Sequence, residues 1–305
     1  MRIAILGATS SIAQDLIRHW SFSKKNYELF LYARDLTKLK NLTYESDGKS
    51  HICPLDIFPE VIKYDVILNF IGAGDPKKIA DISSSILTVT NHYDDIVLNY
   101  LSKNEKCKYI YMSSGAVYGD NFMSPASAEK GSNFHLNQLR QSDFYGLSKF
   151  IAEAKHRERA HNSIVDVRIF NYFSRKQDIS SRYLITDLIR AVKNDVVCEV
   201  NPQPMIRDYL NPLDFAGIID CIISYKNMNG AVDCYSNAPI SKDEILSMFE
   251  SKFGLKWKYT HSGDYVNATN TKEFYYSTYK ILEAMGYSPK YTSSQTILDE
   301  VTVII

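Results

Sequence analysis

Net charge is the first thing this chain lacks: 35 Lys and Arg stand against 35 Asp and Glu over 305 residues. Without a global positive field, bulk electrostatics do not hold nucleic acid or an anionic membrane, so any anionic ligand must meet a local pocket. Paired cysteines are missing too. Cys53, Cys107, Cys198, Cys221 and Cys234 form no C-x-x-C pair, and no His lies at zinc-ligand spacing from them. That argues against a disulfide framework or a metal site; they read as small buried hydrophobes in a reducing compartment. Long apolar runs are the third absence. Ile3-Ala4-Ile5-Leu6 stops at Gly7, short of a secretory signal, and no stretch approaches the roughly 18 apolar residues of a membrane span. The expectation is a soluble, cytoplasmic protein. Its 45% apolar and 23% charged residues are ordinary for a folded chain, and at roughly 100–200 residues per domain its length suits two domains or one with a lobe.

What is there alternates. An apolar run at 1–6 ends at Gly7, and from Ile12 the residues Ile12, Ala13, Leu16, Ile17 and Trp20 repeat at helical spacing, with Ser10 or Ser11 available as N-cap. Residues 27–33, 51–53, 66–71, 108–112 and 165–170 read as further strands, several of them continuously apolar, which suits parallel strands covered on both faces. Residues 79–101 and 142–161 read as long helices. The pattern predicts a doubly wound α/β fold of the Rossmann type. Beyond Asn171, prolines at 202, 204, 212, 239 and 289 punctuate shorter elements: helices over 213–224 and 242–253, and a strand over 232–235. The expected division is a dinucleotide-binding domain over 1–171, completed by about 211–238, and a smaller C-terminal substrate-binding lobe over 172–210 and 239–305.

The turn Gly7 to Ala13 (G-A-T-S-S-I-A) follows the first strand and opens the first helix, where a dinucleotide pyrophosphate meets free N–H groups at a helix N-terminus. Gly7 supplies the tight turn and Ala13 the close helix–strand contact; Ser10 stands where a second glycine is usual. Gly7, Thr9, Ser10, Ser11 and Ile12 are the candidate contacts. At the end of the second strand, Tyr32-Ala33-Arg34-Asp35 puts Ala where an NAD site keeps a carboxylate, with Arg directly after it. A guanidinium suits a 2′-phosphate, so NADP(H) is favoured over NAD(H), with Asp35 the contrary sign.

Tyr145 and Lys149 stand four residues apart (Y-G-L-S-K), on one face of a helix. A phenol with a pKa near 10 is a poor acid or base at neutral pH, and an ammonium beside it stabilises the phenolate, tuning it for proton transfer. Ser114, at the mouth of an apolar strand, adds a hydroxyl for the reacting oxygen.

With the segments at 111–120 (Y-M-S-S-G-A-V-Y-G-D), 168–171 (R-I-F-N) and 207–214 (R-D-Y-L-N-P-L-D), the set resembles the extended short-chain dehydrogenases/reductases of the nucleotide-sugar epimerase/dehydratase superfamily, in order and over nearly the whole chain. The resemblance implies Ser114, Tyr145 and Lys149 as the catalytic triad. Tyr145 would be the proton donor or acceptor, Ser114 would polarise the oxygen, and Lys149 would hold the nicotinamide ribose and lower the tyrosine pKa. It implies Asp56, with Ile57 beside it, near the adenine; Phe70, Ile71, Gly72, Asn91, Tyr145, Lys149 and Phe170 along the cofactor; and Ser114, Asn171 and Arg207 toward a nucleotide-diphosphate sugar. For Arg207 a loop ion pair with Asp208 is the plainer alternative. A homodimer through a four-helix interface of the two long helices is also implied.

The 4,6-dehydratases of the superfamily carry Asp-Glu after the catalytic hydroxyl residue, and epimerase-reductases of the GDP-fucose synthase type carry Cys there; this chain has Gly115-Ala116. Dehydration is disfavoured, and epimerisation beside a ketone needs an acid from elsewhere, such as His135. The leading expectation is NADPH-dependent 4-ketoreduction of a deoxysugar nucleotide for surface polysaccharide. NAD-dependent 4-epimerisation is the alternative, and a silent NADP(H) sensor or scaffold is the alternative of another class.

Overall fold

The computed structural model describes residues 1–23, 25–42, 50–59, 62–72, 86–260 and 272–305. Its centre is a seven-stranded sheet of β1 (Arg2–Leu6), β2 (Glu28–Ala33), β3 (Ser50–Pro54), β4 (Val66–Asn69), β5 (Lys108–Ser114), β6 (Ile164–Ile169) and, much later in the chain, β11 (Asn229–Asp233). The spatial order is β11-β6-β5-β4-β1-β2-β3, and every pairing is parallel. The doubly wound Rossmann-type sheet expected from the sequence is therefore present.

Continuous apolar strands become two cores because the pleat alternates. Ile3 and Ile5 of β1, with Ile110 and Met112 of β5, face one cluster, packed by α1 (Ser11–Phe22) and α6 (Pro212–Ser224). Ala4, Leu6, Tyr109 and Tyr111 face the other, with Val97, Leu98 and Leu101 of α3 (Ile86–Leu101) and Ala152 of α4 (Asp143–Glu158). The short helix α2 (Leu36–Leu42) lies between β2 and β3.

The remaining elements are small and interleaved. Strands β7 (Asn171–Tyr172) and β10 (Tyr209–Leu210) pair, as do β8 (Cys198–Val200) and β13 (Trp257–Tyr259); β9 (Ile206–Arg207) lies between β12 (Ile240–Ser241) and β14 (Phe274–Tyr275). A third apolar cluster, including Leu188, Ile189, Phe249 and Ile297, joins α5 (Leu184–Lys193), α7 (Lys242–Phe253) and α9 (Ser293–Ile304), with α8 (Ile281–Ala284) nearer the sheet.

Two boundaries differ from the sequence reading. The strand expected over 232–235 runs from Asn229, because Gly230 continues the ladder opposite Val165 and Asn229 is anchored by its amide. That amide donates to the carbonyls of His156, Arg159 and Asn162 at 3.0, 3.0 and 3.2 Å, which ends α4 at Glu158 rather than at 161. The helix expected over 79–101 is seen from Ile86; its first part lies outside the described residues.

Candidate active site

The first turn after β1 is built around Gly7, whose φ of +73° favours glycine and whose missing Cβ would lie 3.0 Å from the Phe70 carbonyl carbon and 3.1 Å from the Ile71 nitrogen. Gly7 and Ala8 donate their N–H groups to the Tyr32 carbonyl at 3.0 and 3.1 Å, tying the turn to β2. Ser10 caps α1, its Oγ accepting from Ala13 N at 3.3 Å. The amides of Ser11 and Ile12 open that helix and have no intrahelical acceptor, and Thr9 is half-buried beside them. A glycine turn with unpaired N–H groups at a helix N-terminus has the geometry that can hold a pyrophosphate.

At the end of β2, Ala33 is buried and Arg34 exposed. The Asp35 carboxylate accepts from Lys38 N at 2.8 Å and starts α2, so it is engaged as a helix cap. Asp56 and Ile57 are exposed on a single turn after β3. Phe70 packs edge-on against Phe215 with ring centroids 6.3 Å apart, while Ile71 N donates to Asn69 Oδ1 at 2.9 Å and leaves Gly72 exposed. Asn91 Oδ1 is buried with no hydrogen-bond partner among the described residues. An orphaned acceptor, a glycine cradle and free helix amides fit a bound dinucleotide.

Ser114 ends β5, and Tyr145 and Lys149 project from α4. Gly146 allows that approach: a Cβ on it would lie 2.5 Å from the Ala116 carbonyl oxygen. Tyr145 is half-buried; burial raises its phenol above the ordinary value and the nearby Ser114 side chain pulls it back. Lys149 is buried, its Nζ 5.7 Å from the Tyr145 ring centroid and 4.6 Å from that of Tyr111. The ammonium donates to Tyr111 OH at 3.2 Å and the Met112 carbonyl at 2.9 Å, not to Tyr145. Burial pushes it down to about 8, against the carboxylates of Asp94, Glu153 and Asp166, which favour its charged form. A Cβ on Gly72 would meet the same Nζ at 3.0 Å, so Lys149 lies against the strand-end segment.

On the other side of Ser114, the Phe170 ring fills the space a side chain on residue 115 would need: a Cβ there would come within 2.4 Å of it. Phe170 is itself locked among Tyr118, Phe122 and Tyr275. Arg207 is buried, donating to the carbonyls of Ile206 and Glu273 at 2.9 and 3.1 Å, and burial lowers its pKa. Asp208 is taken up instead by Ser236 N at 2.9 Å and Ser293 Oγ at 3.2 Å. Asn171 Nδ2 donates to the carbonyls of Asp208 and Tyr275, both at 3.3 Å. His135 is exposed.

Two residues at this side escaped the sequence reading. Tyr275 OH comes within 3.5 Å of Ser114 Oγ across 161 residues of chain, and Lys272 Nζ lies 4.9 Å from the Tyr275 ring centroid and 3.3 Å from Asp120. No local motif marks either. A third set, Asp94, His156 and Asp166, did leave a signal: Asp166 is a charged residue inside an apolar strand.

Strand order, phosphate turn and helix-borne Tyr-Lys pair define a dinucleotide-binding α/β protein. The chain belongs to the NAD dependent epimerase/dehydratase family, whose model matches residues 3–233, and is thereby an enzyme of that superfamily. No curated protein matches the sequence. Among solved structures it is similar to dTDP-glucose 4,6-dehydratase of Bacillus anthracis in complex with NAD (TM-score 0.79, 15% identity, covering 99% of this chain and 96% of that one). It is also similar to UDP-glucuronic acid 4-epimerase of Bacillus cereus with UDP-glucuronic acid and NAD (0.78, 18%, 100% and 99%), and to UDP-glucose 4-epimerase of Thermotoga maritima with UDP-glucose (0.79, 12%, 99% and 98%). At such identities these likenesses speak for the fold. Among the described residues no helix is long and apolar enough to cross a membrane.

Proposed function

We propose that the protein reduces a 4-keto nucleotide-linked deoxysugar at the expense of NADPH. The observation that carries this reading is the Ser114–Tyr145–Lys149 cluster standing beside a residue 115 that Phe170 keeps free of any side chain. That leaves groups for moving a proton to or from a sugar oxygen, and no acid at the position where dehydratases and epimerase-reductases carry theirs.

A nicotinamide dinucleotide, when bound, supplies the hydride. The chain's own part is to hold and to protonate. Gly7, Thr9, Ser10, Ser11 and Ile12 would take the pyrophosphate; Asp56 and Ile57 the adenine end; Phe70, Ile71, Gly72, Asn91 and Phe170 the rest of the cofactor. Ser114 Oγ would orient the sugar oxygen, Tyr145 would give it a proton, and Lys149 would bind the ribose and stabilise the phenolate left behind. Arg207 and Asn171 would approach the nucleotide diphosphate. In this reading, 1–171 with 211–238 holds the cofactor, and 172–210 with 239–305 holds the sugar. Exposed Arg34, with Asp35 engaged as a helix cap, supports NADP(H). Exposed Phe150 and Ile151 on α4, beside α3, support a homodimer through these helices.

The second reading is an NAD-dependent 4-epimerase, favoured by the 4-epimerases among the similar structures; it needs the same three residues. The test is NADPH oxidation at 340 nm in the presence of 4-keto nucleotide sugars generated in situ, with Tyr145→Phe as control. Turnover that disappears in the variant supports the reductase. Interconversion of nucleotide sugars without added cofactor supports the epimerase instead.

A further inference from the structure

Between the sheet and helices α3 and α4 lies a charged cluster the proposed chemistry does not use. His156, Asp94 and Asp166 are fully buried. His156 Nδ1 lies 2.6 Å from Asp166 Oδ1, and its Nε2 lies 2.8 Å from Asp94 Oδ1. Carboxylates on both ring nitrogens require both to donate, so the ring is an imidazolium. Lys155 meets the free oxygen of Asp94 at 2.6 Å and also Asp95 at 2.8 Å, and Arg157 meets that of Asp166, so three cations stand against three carboxylates.

The bonds then run one way. Asp94 Oδ1 accepts from Tyr109 OH at 3.0 Å, so the Tyr109 oxygen is left to accept from Asn69 Nδ2 at 2.8 Å. That fixes the Asn69 amide with its oxygen toward Ile71 N, 2.9 Å away. Ile71 N, with the Phe70 carbonyl, is part of the backbone that crowds a Cβ on Gly7, and Gly72 is the residue over which Lys149 Nζ sits. The cluster also reaches Lys149 from the helix. His156 is two turns beyond Lys149 on the same face, and the Tyr111 ring packs edge-on against His156 at 5.2 Å while its hydroxyl takes the Lys149 ammonium.

A buried ion triad contributes little net stability compared with apolar side chains of similar volume. Here its polar atoms lead to one peptide. We propose that Asp94, His156 and Asp166 are positioning residues for the dinucleotide site: through Tyr109 and Asn69 they hold the 71–72 turn between the phosphate turn and the Lys149 ammonium. This rests on the dinucleotide-binding part of the function proposed above.

The test removes one oxygen from the path. Tyr109→Phe keeps the ring and breaks the link between Asn69 and Asp94; Tyr64→Phe, which loses a hydroxyl in the same apolar cluster but off the path, is the matched control. Hydrogen exchange at the Ile71 amide of the cofactor-free protein is read first, then NADPH and NAD+ titrations, with thermal melts alongside. The expected result is Ile71 exchange faster by about tenfold and dinucleotide binding weaker by a similar factor in Tyr109→Phe, with neither changed in Tyr64→Phe. His156→Gln, which keeps a polar group but removes the charge, moves both readouts the same way. Unchanged Ile71 exchange in Tyr109→Phe, or an equal change in Tyr64→Phe, overturns the inference. If the parent binds neither dinucleotide, the proposed function fails, while Ile71 exchange still decides whether the path holds the turn.

Discussion

The two sides of Ser114 are held by different physics. On the proposed cofactor side, the turn at Gly7, the end of β4 and the face of α4 are fixed by backbone hydrogen bonds and by a chain of buried polar contacts from Asn69 through to Arg157. On the proposed sugar side, short strands and the residues beside them bring cations to an aromatic ring: buried Arg207 and half-buried Lys272 lie 5.8 and 4.9 Å from the Tyr275 ring centroid. The first arrangement suits a ligand that never changes. In the proposed reading the second would present positive charge and hydroxyls to the nucleotide sugar.

That contrast is sharpest in a variant that spares both sides. Tyr145→Phe is expected to lower turnover by about 10²–10⁴-fold, the range for a lost general acid, while dinucleotide affinity stays at the parent's value; stopped-assay kinetics and fluorescence titration check the two halves. Next in size is Arg207→Met. Losing a charged donor to a diphosphate costs about ten- to a hundredfold in KM for the nucleotide sugar, with the NADPH dissociation constant unchanged; a loss of NADPH affinity in this variant would erase the distinction between the two sides. The mirror case is Arg34→Ala, expected to weaken NADPH by about tenfold and NADH hardly at all, with KM for the sugar untouched.

A smaller effect concerns pH. The flanking carboxylates raise His156 from its ordinary 6.5 to about 9, against the opposing cost of burial. A group whose folded pKa is raised stabilises the fold fully below its unfolded pKa and loses that contribution as pH climbs through the folded one. Thermal melts should therefore show the parent losing stability between about pH 6.5 and 9 by a few degrees more than His156→Gln does. Equal slopes for the two proteins would show that His156 is not the imidazolium its two carboxylates require.

How much of this was legible in the sequence follows the same divide. Gly7, Ser10 and the Tyr145/Lys149 pair declare themselves because helix and turn geometry act over four residues or fewer, and the parallel sheet shows in its continuous apolar strands. Ala33-Arg34 was readable as a string, yet the engagement of Asp35 as a helix cap needed the bond to Lys38. On the sugar side almost nothing was local. Phe170 meets Gly115 from the bend between β6 and β7, and Tyr275 meets Ser114 from the last 31 residues of the chain; only the folded chain brings them together. Polar residues inside apolar strands, Asn69 and Asp166, were the one overlooked local sign. Such residues are buried only when partnered, and theirs lead to His156.

The account stands most directly on which dinucleotide the protein takes. Nucleotide released on denaturing the purified protein would be identified, and NADPH and NADH then titrated by fluorescence quenching into the parent and Arg34→Ala. An NADPH-dependent reductase would show exchangeable binding with a clear NADPH preference that Arg34→Ala removes. Stoichiometric NAD+ carried through purification would contradict it and make the 4-epimerase reading the one to pursue.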